Sequence, residues 1–197
     1  MLTKIPPKPD LVLASASPRR QELLRLLQVE FEVLPSQIPE TSKANETAPE
    51  LVQRLAQAKA MWAQKIKPKS VIVGADTVVV CDDQILGKPH SREAARNMLN
   101  RLSGRDHDVL TGVCTLYEQQ CQVDFSRTVV QFSPLSSQEI EAYLDTREPF
   151  DKAGAYAIQG FGSRFIRRID GCYFNVVGLP ISLLYRMLGK MGLTFNG

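Results

Sequence analysis

The sequence predicts a mixed α/β fold, a twisted sheet flanked by helices. Three observations carry this. Strand-sized apolar runs alternate with capped helical stretches through the first half of the chain. The longest run, 71–81, is apolar on both faces, the pattern of a central strand covered from both sides. The second half turns β-rich and carries two further helices, which points to one mixed sheet.

Residues 11–15 read as a buried strand. Ser17 follows as an N-cap with Pro18 at the first helical position, and the helix runs to about Leu27. A short strand is predicted over 31–34, and 37–46 is polar and loop-like. Thr47-Ala48-Pro49-Glu50 is a capping box that opens a helix to about Ile66. After the strand at 71–81, Asp82-Asp83 turns the chain into 84–87. Ser91 caps a helix that ends near Gly104. Strands are predicted at 107–117 and 122–132. Ser136-Ser137-Gln138-Glu139 is a second capping box, and its helix ends before Pro149. The stretches 164–169 and 172–177 flank Asp170-Gly171, a hairpin signal. Pro180 starts a last helix to about Met191. No linker divides the chain, so 1–197 reads as a single domain.

Composition narrows the class. A chain 44% hydrophobic and 23% charged is an ordinary soluble globule, and no apolar run is long enough to span a bilayer. Residues 1–10 carry Lys4 and Lys8 among three prolines with no apolar core after them, so no secretory signal is read. The four cysteines form no C-x-x-C pair, which argues against zinc or a disulfide framework and fits a reducing cytosol. Net charge of +3 does not demand nucleic acid, and the basic residues lie near glycine loops rather than on an aromatic face.

Asp76 is the most informative residue. It sits inside Val71-Ile72-Val73-Gly74-Ala75-Asp76-Thr77-Val78, where an ionised carboxylate is costly without a cation or hydrogen bonds. It either binds metal or activates water, or it pairs with an arginine or ends the strand. Gly74, on the same face, lets backbone or ligand come close. Arg20 shares the inward stripe of Leu23, Leu24 and Leu27, and Arg19 flanks it. Both lie in a helical first turn that already favours anions, a conflict a bound phosphate would resolve. The alternatives are that they bend to solvent or that one pairs with a carboxylate. Ser15 and Ser17 add hydroxyl donors.

Lys59 shares a stripe with Val52, Leu55 and Trp62. Taken alone it snorkels past its neighbours; the alternative is a buried anion. Lys88, after Gly87, is alone a surface lysine. The run Asp151-Lys152-Ala153-Gly154-Ala155-Tyr156-Ala157-Ile158-Gln159-Gly160-Phe161-Gly162 is alone a glycine-rich surface loop, though its glycines allow close approach to a ligand and the Gln159 amide suits a base edge. No P-loop, dinucleotide-binding glycine motif or nucleophile elbow is present.

Leu13-Ala14-Ser15-Ala16-Ser17-Pro18-Arg19-Arg20 resembles the opening motif of the Maf family of nucleotide pyrophosphatases. Gly74-Ala75-Asp76-Thr77, Gly87-Lys88-Pro89, Leu102-Ser103-Gly104, the run from Asp151 through Gly160, and Val177-Gly178-Leu179-Pro180 follow in the family's order. The resemblance implies two lobes around a central cleft, as in inosine-triphosphatase-like folds. It implies a cytoplasmic enzyme needing Mg²⁺ or Mn²⁺, with no nucleic-acid or membrane partner, and it admits a homodimer. By resemblance, Asp76 is the general base; Arg19, Thr77 and Gln159 set substrate choice; Ser15, Arg20, Lys59 and Lys88 line the substrate cleft; Glu40 helps Asp76 hold metal or water. The Asp-Lys-Ala-Gly-Ala-Tyr form with Gln159 resembles the branch acting on dTTP and UTP. Ala157 departs from the glycine common there, and its methyl group is expected to fit.

These residues together predict hydrolysis of a nucleoside triphosphate to monophosphate and pyrophosphate, with Lys152 a further cation. The family is also linked to septum formation, so the rival is a non-catalytic nucleotide-binding regulator of cell division.

Overall fold

The strand over Val71–Cys81, β3, is the hub of the molecule. The structure, a computed structural model, describes residues 10–193. The segment read for a secretory signal therefore lies, but for Asp10, outside the described residues. On one side β3 pairs along most of its length with β5 (Asp106–Tyr117), antiparallel, which pairs in turn with β6 (Gln120–Phe132). On its other edge lies β1 (Leu11–Leu13), parallel, with β2 (Phe31–Val33) beyond it. β7 (Ile166–Asp170) closes the far side, so the sheet runs β2-β1-β3-β5-β6-β7, and β4 (Gln84–Leu86) pairs with the end of β3.

That second edge of β3 is broken. β1 covers it only to Val73, and β4 takes it up only from Val79. No strand among the described residues pairs with 74–78 there. Asp76 and Thr77 fall in this gap.

The helices explain which face each residue takes. Helix α2 (Ala48–Ile66) lies across one face of β3 and β5, packing Ala56, Ala60 and Ala63 near Ile72. Its approach is unusually close. A Cβ on Gly74 would sit 2.1 Å from the Ala56 carbonyl oxygen, and one on Gly112 would sit 2.2 Å from that of Val52. The close approach expected at Gly74 is thus made by helix backbone. On the other face Val73 and Ala75 join a core with α1 (Pro18–Arg25) and α6 (Ile181–Lys190). Further along, Val79 and Cys81 join a second core with α3 (Arg92–Leu102) and α4 (Ser137–Asp145). Thr77 lies between the two cores, so the lobes meet where the sheet edge is open.

Local signals form as predicted. Ser17 caps α1 with Pro18 in its first turn, and Thr47 and Ser136 close both capping boxes. Asp82 and Asp83 adopt positive φ in the tight turn from β3 to β4. The hairpin at Asp170-Gly171 does not form. β7 ends there, Gly171 at φ +126 reverses the chain, and the next residues coil into α5 (Tyr173–Val177). A strand would have had to extend the sheet edge beyond β7. The helix instead buries Asn175, whose Nδ2 donates to the Val109 carbonyl and to Thr128 Oγ, both at 2.9 Å. Tertiary hydrogen bonds here override the β-propensity of an aromatic and β-branched run.

Candidate active site

The gap in the sheet edge opens into a cleft of about 370 Å³, a size that suits a small ligand. Ser15, Arg19, Arg20, Glu40, Lys59, Asp76, Thr77, Lys88, Lys152 and Gln159 all line it. Residues up to 144 apart in sequence, from Ser15 to Gln159, are thereby brought to one place.

Asp76 points from β3 toward α2, on the Gly74 face. It is 6% exposed, and Lys59 on α2 is 5% exposed. The Lys59 ammonium lies 2.7 Å from Asp76 Oδ1 and 2.5 Å from Glu40 Oε1. Lys59 does not snorkel; it meets two carboxylates, because Gly74 and Gly112 let α2 descend far enough. One ammonium N–H remains for a ligand. Asp76 Oδ2 accepts no hydrogen bond among the described residues and is not among the sealed, orphaned atoms, so it faces the cleft. Burial works to raise the Glu40 carboxyl, but Lys59, with Lys88 and Arg20 adding charge, overrides it and holds the group below the ordinary carboxylate range. Lys88 stands 4.0 Å from Glu40 Oε2.

Arg20 is partly exposed in the cleft lining, and its bonds go to carbonyls and hydroxyls rather than to a carboxylate. Its Nε donates to the Gly178 carbonyl at 2.8 Å and its Nη1 to the Ala75 carbonyl at 2.9 Å. Nη1 also donates to Ser15 Oγ at 3.2 Å, and Nη2 to Thr77 Oγ at 2.9 Å. The Ala75 carbonyl is free to accept because no strand pairs there. Burial depresses the guanidinium's pKa, with Asp76 and Glu40 opposing. Four of its five N–H groups are thus committed, leaving one toward the cleft.

Proton directions follow. Thr111 Oγ donates to the Asn175 carbonyl at 3.0 Å, so in its 2.9 Å contact with Thr77 it must accept. The Thr77 proton is spent on Thr111. Ser15 Oγ accepts from Arg20 and from the Ser17 amide at 3.3 Å, which leaves its own proton free to donate.

Also in the cleft lining, Arg19 Nη1 lies 3.7 Å from Asp151 Oδ2, and Lys152 also pairs with Asp151. Gln159 is exposed and makes no hydrogen bond among the described residues. Ala157 needs no positive φ, so its methyl group fits without backbone strain. Sequence reasoning did not single out Asp151 as the partner of Arg19, though the acid is visible in its motif. Thr111 and Asn175 are legible only through strand register and the α5 fold. Glu148 carries no sequence signal of its own.

Among the described residues no group of three or more His, Cys, Asp or Glu could hold a metal. Asp76 and Glu40 nevertheless converge on one ammonium, two hard oxygen donors beside a cleft. That fits an ion such as Mg²⁺, which is usually held by one or two carboxylates and completed by substrate phosphates.

A sheet whose unpaired edge opens on a cleft lined by arginines, lysines and a buried acid defines a polyphosphate-binding α/β protein. The model of the family described as "Maf-like protein" matches residues 10–191. The dTTP/UTP pyrophosphatase of Syntrophus aciditrophicus (strain SB) is 50% identical over 190 residues, 95% of this chain and 93% of the relative. The dTTP/UTP pyrophosphatase of Clostridioides difficile (strain 630) is 49% identical over 183 residues, 92% and 94% of the two chains. Among solved structures, the Staphylococcus aureus Ham1 protein superposes with a TM-score of 0.50 at 16% identity, covering 80% of this chain and 79% of the other. That likeness concerns the fold. The chain belongs to the Maf-like family.

Proposed function

We infer that the chain is a nucleoside triphosphate pyrophosphatase acting on dTTP and UTP and releasing pyrophosphate. The observation that carries this is Asp76, a carboxylate sunk in a sheet with one oxygen held by Lys59 and the other facing a cation-lined cleft. Relatives at 49–50% identity named for that activity support the substrate class.

In the proposed mechanism Asp76 Oδ2 takes a proton from a water that attacks the α-phosphorus. The new bond forms from water oxygen to phosphorus as the α–β bridge bond breaks in line, and pyrophosphate departs with the bond's electrons. The proton then passes from Asp76 to solvent. Lys59 holds Oδ1 so that Oδ2 points at the water. Arg19, Lys88 and Lys152 would meet the phosphate charge, and the free Ser15 proton and the remaining Arg20 N–H would donate to phosphate oxygens. Asp76 and Glu40 would hold a divalent cation such as Mg²⁺ or Mn²⁺, which supplies positive charge against those oxygens. The Gln159 amide would accept from N3–H and donate to O4 of uracil or thymine.

Among the described residues no helix is long and apolar enough to cross a membrane. We propose a cytoplasmic setting, supported by four free cysteines, two of which, Cys114 and Cys121, have sulfurs 3.9 Å apart without a bond.

The test is a panel of nucleoside triphosphates with Mg²⁺, Mn²⁺ or chelator, scored for pyrophosphate against orthophosphate. Asp76→Asn should fold normally and lose on the order of 10² or more in turnover. Wild-type turnover in that variant would reject the base role, and binding without pyrophosphate release would favour a non-catalytic regulator.

A further inference from the structure

Gln159 stands on a short loop whose two ends are tied together. At its start, the Ala157 amide donates to Tyr143 Oη at 3.2 Å. Tyr143 in turn donates to Glu148 Oε1 at 2.8 Å. At its end, the Gly162 amide donates to the same Oε1 at 3.0 Å, and the Phe161 amide donates to Oε2 at 2.9 Å. Only Ile158, Gln159 and Gly160 lie between these ties.

The glycines agree with the clamp. Gly160 has φ +102, and a Cβ there would lie 2.3 Å from Glu148 Oε2. A Cβ on Gly162 would lie 2.6 Å from the Ala157 carbonyl and 2.7 Å from Tyr143 Oη. The loop is closed on itself around one carboxylate. Tyr143 is fully buried on α4, so the anchor is part of the second core rather than of the loop.

We propose that Glu148 is the positioning residue for base selection. Resting on the reading of Gln159 as the base reader, it assigns to Glu148 the task of holding that amide at a fixed place without touching the nucleotide. A carboxylate suits this because both oxygens only accept, and three donors converge on them. Gln159 itself has no hydrogen-bond partner among the described residues, so its position is set by the backbone on either side. An amide displaced by about 1 Å loses its alignment with the base edge. Discrimination between UTP and GTP then falls while the phosphate chemistry at Asp76, on β3, keeps its own supports.

The experiment measures kcat and KM for UTP and GTP in wild type, Glu148→Ala, Glu148→Gln, Tyr143→Phe and Gln159→Ala, with thermal melts. Glu148→Ala should lower the UTP:GTP ratio of kcat/KM by about tenfold, the scale of one hydrogen bond, chiefly through KM for UTP. Glu148→Gln keeps one acceptor oxygen and should recover part of the ratio. Tyr143→Phe should release only the Ala157 end and fall between. A folded Glu148→Ala with lower melting temperature but an unchanged ratio overturns the proposal. If Glu148→Ala fails to fold, an unchanged ratio in both Glu148→Gln and Tyr143→Phe overturns it. If Gln159→Ala itself leaves the ratio unchanged, the base-reader assignment has failed instead.

Discussion

Gly112 touches no part of the cleft, yet substituting it should disable the enzyme. A Cβ at Gly112 would lie 2.2 Å from the Val52 carbonyl oxygen and 2.4 Å from its carbon, both backbone atoms of α2. Ordinary contact needs more than 3 Å, so in Gly112→Ala the helix must retreat by about 1 Å, and such overpacking costs about 1–3 kcal/mol. Melting should fall by about 2–4 °C for each kcal/mol in a domain of this size. Gly112 is the register partner of Asp76, and Lys59 rides on α2. The same retreat therefore stretches the 2.7 Å contact between Lys59 and Asp76 beyond hydrogen-bonding distance. A misplacement of about 1 Å at a catalytic constellation costs on the order of 10² in rate. The assay is pyrophosphate release from UTP well below the melting temperature, where the variant is still folded by circular dichroism. If Gly112→Ala lost stability but kept wild-type turnover, close helix approach would not be what sets the Lys59–Asp76 contact.

Lys59→Met leaves two carboxylates near each other without their shared cation; breaking a buried pair costs about 3–5 kcal/mol, so the urea midpoint should drop, and an unchanged midpoint would contradict the pairing. Gln159→Ala should lower the UTP:GTP ratio, read by steady-state kinetics on both substrates. Burial holds His107 down at about 4 from an ordinary 6.5. Between those values the unfolded chain takes up a proton that the folded chain refuses, so stability falls as pH falls through that window, by about 3 kcal/mol in all. His107→Gln should flatten that slope in melts recorded from pH 7 to pH 4; an equally steep slope would place the titration elsewhere.

Much of this molecule is legible in the order of its residues. Ser17-Pro18, the two capping boxes and Asp82-Asp83 can be read because their hydrogen bonds close within a few residues of chain. The burial of Asp76 can be read because an apolar run on both faces of a strand leaves a carboxylate no solvated place to go. The motifs, in order, carried the chemical class.

What the local sequence could not contain is who meets whom. Lys59 taken alone snorkels; it pairs with Asp76 and Glu40 because Gly74 and Gly112, on two different strands, admit α2. Arg20 taken alone awaits a phosphate; four protein acceptors from β3, from Ser15 in the turn before α1 and from the turn after α5 claim it first. The stretch 172–177 has a strand's composition and becomes a helix because Asn175 finds buried partners on β5 and β6. Residue type and spacing determined which groups were present and what each could do. Strand register and helix approach decided their partners, since contacts between residues far apart in sequence depend on every element packed between them.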